Sequence, residues 1–275
     1  MNTDYYGLGI VGCGAIGRGI ALAVDRGDIA GAGIIALFDQ NIKNARELAN
    51  TLGSEPKVFE SFEDFILSRG LSTVVESASQ GALKQYATQV LEAGKNLLAM
   101  SVGALLDDAF RKGLEQTALQ KGTKLLVSSG AIGGIDAIMA AKDYIEDVVL
   151  TTRKLPESLI DVTLDKPYIA NLDHEEVIFS GSALEAVGRF PFNVNVAATL
   201  SLAGIGPEKT KVIIVADPHT KGNVHEITIQ GRSGNMHFVL ENVPSEDNPK
   251  TSKLAILAAL QSLRKLTQPG MVLGT

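Results

Sequence analysis

The sequence predicts an α/β protein in which a doubly wound parallel sheet precedes a second, mixed α/β domain. Three observations predict it. From Tyr6 to about Val127, short runs of β-branched and aliphatic residues alternate with amphipathic stretches, as βαβ units require. Beyond Gly130 the strand-like runs follow one another with turn-sized gaps late in the segment, which favours antiparallel or mixed pairing. The length, 275 residues, supports two domains at roughly 100–200 residues each.

In the first domain the strands are expected at Gly7–Val11, Gly33–Phe38, Lys57–Phe59, Thr73–Ser77, Asn96–Ser101 and Lys124–Ser128. Between them Ile16–Asp25, Ile42–Leu52, Gly81–Ala93 and Asp107–Lys121 read as helices, long enough for the right-handed crossovers that join parallel strands. In the second domain Val148–Arg153, Lys211–Ala216, Val224–Gln230 and Met236–Leu240 read as strands. Asn193–Ala203 reads as a helix whose small residues Ala197, Ala198 and Ala203 permit close approach to another backbone. Lys250–Lys265 forms a last helix, with Asn248–Pro249 as its start signal and Pro269–Gly270 as its stop.

Composition removes several classes of function. Lys and Arg total 25 against 31 Asp and Glu, a net charge of −6 with no basic block to follow a phosphate backbone, so nucleic acid is not expected as a partner. Hydrophobic residues make up 45% and charged ones 20%, too apolar for disorder. The single thiol, Cys13, can form no intramolecular disulfide and cannot supply a Cys-rich metal site, which fits a reducing cytoplasm. The most apolar N-terminal stretch, Leu8–Val24, contains Arg18 and several glycines, follows Asp4 rather than a basic flank, and has no cleavage pattern. It reads as neither signal peptide nor membrane span.

Gly12-Cys13-Gly14-Ala15-Ile16-Gly17 is a G-x-G-x-x-G sequence that follows the first strand and opens the first helix. The first glycine permits the tight turn, the second admits a pyrophosphate to the backbone, and the third lets helix and strand pack closely. This is the dinucleotide-binding fingerprint of the Rossmann fold, and Gly12, Gly14, Ala15, Ile16 and Gly17 are its expected cofactor contacts. Asp39, at the end of the second strand, would accept the ribose hydroxyls and repel a 2′-phosphate, favouring NAD over NADP; Lys43 and Arg46, one turn on, weaken that preference.

Further blocks carry a family resemblance: Ser128-Ser129-Gly130-Ala131-Ile132-Gly133-Gly134-Ile135-Asp136, Thr151-Thr152-Arg153-Lys154, Asn193-Val194-Asn195-Val196-Ala197-Ala198, Asp217-Pro218, Asn223-Val224-His225-Glu226-Ile227 and Asn248-Pro249-Lys250-Thr251-Ser252. With the glycine loop they span nearly the whole chain, which resembles the aspartate dehydrogenase family. The resemblance implies NAD- or NADP-dependent oxidation of L-aspartate to iminoaspartate, which hydrolyses to oxaloacetate and ammonia or serves NAD biosynthesis. It implies a dinucleotide domain over 1–130 completed by a C-terminal helix over 249–268, and a substrate and dimerisation domain over 131–248. It places the catalytic histidine on His225 and further cofactor contacts on Ala131 and Asn195, with Asn193 two positions earlier. It implies a homodimer or larger oligomer. One departure is Leu155, where a proline would be expected after Arg153-Lys154.

The residues support His225 on their own account. Strand alternation puts it on one face with Ile227 and Ile229, and an imidazole titrates in the range that oxidative deamination needs for its proton acceptor. His219 lies in a turn, His237 alternates with Val239 and Glu241, and His174 sits in the acidic run Asp173–Glu176; surface roles suit all three, and no metal site is expected. A dicarboxylate substrate calls for cations, for which Arg153, Lys154 and Lys221 are candidates. Two alternatives remain at this point: another two-domain amino-acid dehydrogenase or imine reductase, and a nonenzymatic dinucleotide sensor, against which a base-bearing strand argues.

Overall fold

The computed structural model describes residues 6–159, 168–169, 171–190, 195–244 and 252–267. The chain divides into two compact units, Met1–Ser128 with Ile256–Leu273, and Ser129–Ala255 with Gly274–Thr275.

The first unit is built on a six-stranded parallel sheet of β1 (Tyr6–Val11), β2 (Ala32–Phe38), β3 (Lys57–Phe59), β4 (Leu71–Glu76), β5 (Asn96–Ala99) and β6 (Leu125–Val127). Their order is β3-β2-β1-β4-β5-β6, so the order reverses beside β1. In open α/β sheets such a reversal opens a crevice at the carboxyl ends of the strands. The crossovers are α1 (Ala15–Asp25), α2 (Ile42–Ala49), α3 (Phe62–Ile66), α4 (Gln80–Glu92) and α5 (Asp108–Lys121). Side chains of Asn41, Ser61, Ser79 and Asp107 cap the last four, each accepting from an amide of the first turn. Leu8, Ile10, Ile20, Ile34 and Leu37 form a solvent-free core, and the final helix, Lys253–Thr267, adds Ala259, Leu260 and Leu263 to it.

Three expected ends move inward for local reasons. The strand expected to reach Ser77 stops at Glu76, because Ser77 turns its hydroxyl onto the Gly12 carbonyl at 2.8 Å. The strand expected to reach Ser101 stops at Ala99, before a 3₁₀ turn over Val102–Leu106. The helix expected to reach Leu52 stops at Ala49, where the Thr51 hydroxyl donates to the Leu48 carbonyl at 2.7 Å. The start signal Asn248–Pro249, the stop Pro269–Gly270 and Asn193 lie outside the described residues.

The second unit holds a five-stranded mixed sheet of β7 (Ile145–Lys154), β8 (Glu176–Ser182), β9 (Lys211–Ala216), β10 (Val224–Gly231) and β11 (Met236–Glu241), in the order β11-β10-β7-β9-β8. β7 and β9 run parallel; the other neighbours are antiparallel. Alternate residues line one buried face: Val148 and Leu150 on β7, Ile227 and Ile229 on β10, Val212 and Ile214 on β9. Around the sheet lie α6 (Ile135–Ala141), α7 (Pro156–Leu159), α8 (Ala183–Arg189) and α9 (Asn195–Ala203). Leu155 leads into α7, so the proline one residue later, Pro156, takes a helix-starting place where its fixed φ costs nothing.

Candidate active site

β1 runs directly into the glycine loop. Gly12 has φ +89°, a backbone region that side-chain-bearing residues rarely adopt, and a Cβ there would lie 2.6 Å from that of Ala78. At Gly17 a Cβ would stand 2.0 Å from the Gly12 carbonyl oxygen, so only glycine lets α1 pack this closely. Gly14 is different. It is extended, starts α1 without a side-chain cap, and has no protein atom within 4 Å of where a Cβ would sit. Ala15 and Ile16 follow as the first residues of the helix, whose first-turn amides have no partner within a helix by construction. Backbone donors facing open space at a helix N-terminus are what a pyrophosphate requires.

Asp39 follows β2 and is held against this loop. One carboxylate oxygen accepts from the Cys13 amide at 2.7 Å; the other accepts from the Asn41 amide at 2.8 Å and the Asn44 side chain at 3.3 Å. Beside it opens a cavity of about 300 Å³ lined by Gly12, Gly14, Asp39, Asn44, Ser77 and Tyr86 among others. Of the two cations that could have offset the carboxylate, Arg46 pairs with Glu60 at 2.9 Å and Lys43 is exposed. Cys13 is buried, and burial together with the Asp39 charge pushes its thiol up to about 12, which makes it inert.

Glu76, at the end of β4, carries no signal in the sequence beyond its place after an apolar run. Only 2% of it is exposed. Its carboxylate accepts from the amides of Ala78, Ser79 and Ser101 and from the Ser101 hydroxyl, at 2.8 to 3.2 Å, so it ties the loop lining the cavity to the turn after β5. Burial outweighs these bonds and raises its pKa.

In the second unit His225 sits on the buried face of β10, 3% exposed, directly opposite Thr152 of β7. Its Nδ1 and the Thr152 hydroxyl oxygen are 3.1 Å apart. Burial first, and the charge of Lys154 second, push the imidazole down to about 3, so it is neutral at physiological pH. The preceding loop is also fixed: the Asn242 side chain donates to the Ala131 carbonyl at 3.1 Å while accepting from the Ser252 hydroxyl at 2.7 Å. Asn195 is the first residue of α9 and half-buried.

The remaining candidates separate cleanly. His174 and His219 are exposed, the first beside the Asp173 carboxylate and the second beside the Asp173 carbonyl, and His237 faces Glu226 on the outer side of the sheet. Lys221 is exposed in a turn. Among the described residues no group of three or more His, Cys, Asp or Glu is placed to hold a metal ion.

Comparison with known proteins agrees across the whole chain. The family model described as aspartate dehydrogenase, C-terminal, matches residues 136–266, and that of the homoserine dehydrogenase NAD binding domain matches residues 12–128. An L-aspartate dehydrogenase of Nitrosopumilus maritimus is 40% identical over 98% of this chain and 99% of its own. One from Methanosarcina barkeri is 43% identical over 95% of this chain and 97% of its own. The crystal structure of aspartate dehydrogenase from Thermotoga maritima superposes with a TM-score of 0.76 at 31% identity, covering 98% of this chain and 99% of that one.

Proposed function

The chain belongs to the aspartate dehydrogenase family, and from that premise we propose how its residues carry out the family's reaction. It oxidises L-aspartate to iminoaspartate, which hydrolyses to oxaloacetate and ammonia, with NAD or NADP as oxidant. When bound, the nicotinamide supplies the acceptor for the hydride that leaves the substrate Cα. Gly12, Gly14 and Gly17 shape the loop, and the amides at the start of α1, Ala15 and Ile16 among them, hold the pyrophosphate. Asp39 accepts the ribose hydroxyls and disfavours a 2′-phosphate, so NAD binds at least as well as NADP. Ala131 and Asn195 make the further contacts to the cofactor.

The observation that carries the chemistry is the His225–Thr152 pair. With Nδ1–H donating to the Thr152 hydroxyl oxygen, the lone pair of Nε2 is left for the substrate. Nε2 takes a proton from the aspartate ammonium, and the nitrogen lone pair so released drives the hydride from Cα as the C=N bond forms. Once it has released that proton to solvent, the same imidazole, neutral again, takes a proton from the water that adds to the imine carbon. Replacing His225 with Asn is expected to cut turnover about 10²–10⁴-fold, the usual contribution of a positioned base. NAD affinity by calorimetry should be unchanged, and near-normal turnover would remove His225 from the mechanism.

The protein acts as a cytoplasmic homodimer or larger oligomer in this reading. Its lone, buried thiol suits a reducing compartment, and among the described residues no helix is long and apolar enough to cross a membrane. Self-association is supported by exposed apolar side chains on the second sheet, Val177 at 57% and Val239 at 52%. Light scattering at micromolar concentration should return at least twice the chain mass, and a monomer mass would refute the assembly.

A further inference from the structure

The cavity beside Asp39 has a wall that the mechanism leaves unused. Pyrophosphate, ribose and adenine follow one another in the dinucleotide, so with the first on the α1 amides and the second at Asp39, the base is left for the rest of the same cavity. Phe38, Gln40, Ala82 and Tyr86 are among the residues that line it. Tyr86 belongs to the buried stripe of α4, with Leu83, Ala87 and Val90 at helical spacing. Its ring is stacked on that of Phe62, centroids 4.1 Å apart and planes 24° off parallel, and meets the Phe38 ring edge-on at 5.6 Å. These rings fix its place. Only 8% of the residue is exposed, and among the described residues its hydroxyl has no hydrogen-bond partner.

A buried tyrosine ordinarily finds a partner for its hydroxyl. Packing does not call for a hydroxyl here: the rest of the cluster, Phe38, Phe59, Phe62 and Phe65, is phenylalanine, and a fifth would fill the space of the ring equally well. The hydroxyl answers instead to what enters the cavity. We propose that Tyr86 reads the adenine base of the cofactor, its hydroxyl oxygen accepting a hydrogen bond from the 6-amino group. The direction of the bond follows from the surroundings. Burial, and after it the charge of Glu63 on α3, raise the phenol pKa, so it keeps its proton at physiological pH. The carboxylate draws the positive end of the O–H dipole toward itself and leaves the oxygen lone pairs for a donor. In the adenine of a nucleotide the 6-amino group is the only N–H donor. Affinity for the cofactor then depends on the base it carries as well as on its ribose.

This rests on the placement of the dinucleotide along the glycine loop and Asp39, and the test keeps the two apart. Dissociation constants would be measured by calorimetry for NAD, NADP and the analogue of NAD in which unsubstituted purine replaces adenine, with the unaltered protein and with Tyr86→Phe. The unaltered protein should bind NAD about three- to tenfold more tightly than the purine analogue, the range for one neutral hydrogen bond. Tyr86→Phe keeps the ring and should weaken NAD and NADP by that same factor, so the ratio between them, set at Asp39, does not move. It should leave the purine analogue where it was, a result that a general loosening of the cavity would not give. Equal affinity of the unaltered protein for NAD and the purine analogue, which needs no variant to detect, would overturn the proposal. Equal losses for the two in Tyr86→Phe, or no loss for NAD, would overturn it as well. Failure of the unaltered protein to bind NAD at all would overturn the placement on which the proposal rests, and the proposal with it.

Discussion

At the residue scale, three glycines in one loop answer to different physical demands, and substitution separates them. Gly17 is required by the protein itself, since an alanine methyl would stand 2.0 Å from a backbone oxygen that cannot yield. Gly17→Ala should therefore destabilise the fold by about 1–3 kcal/mol, the usual penalty of overpacking, read as a lowered melting temperature. Gly14 is required only by what binds, because its methyl would meet no protein atom within 4 Å. Gly14→Ala should melt within about 1 kcal/mol of the parent, as an N-cap glycine replaced by alanine does, yet bind NAD at least tenfold more weakly because the methyl occupies the approach to the first-turn amides. Equal losses of stability in the two variants would contradict this division. The glycine loop and Asp39 were legible in the sequence because the fingerprint is local: strand, turn, helix and carboxylate follow in chain order. Thr152 was not legible as the partner of His225, since their meeting depends on the register of β10 against β7 across a long sequence separation.

At the scale of elements, Glu76 shows how a strand end is made rigid. Three amides and one hydroxyl converge on its two oxygens, fixing the Ser77–Ser79 turn that lines the cavity beside Asp39 and also the turn at Ser101. Glu76→Gln replaces one acceptor oxygen by an NH₂ group that must face a donor. An unmet buried amide costs about 1–3 kcal/mol, so the variant should melt lower by that amount and bind NAD more weakly. A variant that loses stability but keeps full NAD affinity would confine Glu76 to the fold. The parallel strands were readable because both of their faces are covered, which makes them continuous apolar runs. β8 escaped notice for the converse reason: it is an edge strand of β9 alone, half-exposed along most of its length, with Ser180, Gly181 and Ser182 diluting its apolar pattern. The short α3 and the 3₁₀ turn after β5 are too brief to show a helical period.

At the scale of the whole molecule, two buried titratable groups act on stability with opposite signs. His225 has its pKa lowered in the folded protein to about 3, against 6.5 for the free group, so between those values the unfolded chain binds a proton that the native one refuses. Stability from this site is therefore complete above about pH 6.5 and falls as the pH drops, by about 1.4 kcal/mol per unit where the difference is fully developed. Glu76 has its pKa raised, so the native state holds its proton longer, and stability falls as the pH rises above the ordinary carboxylate range. The two slopes oppose each other near pH 5, and a melting curve of the unaltered protein alone would understate both. Comparison with His225→Gln isolates the histidine. Relative to that variant, the melting temperature of the unaltered protein should fall by about 3–6 °C per pH unit between pH 6 and 4, since 1 kcal/mol is worth about 2–4 °C in domains of 150–250 residues. Parallel curves across that interval would show that His225 takes up its proton in the native protein as freely as in the unfolded chain, and would remove the burial on which the neutral-base role proposed for it depends.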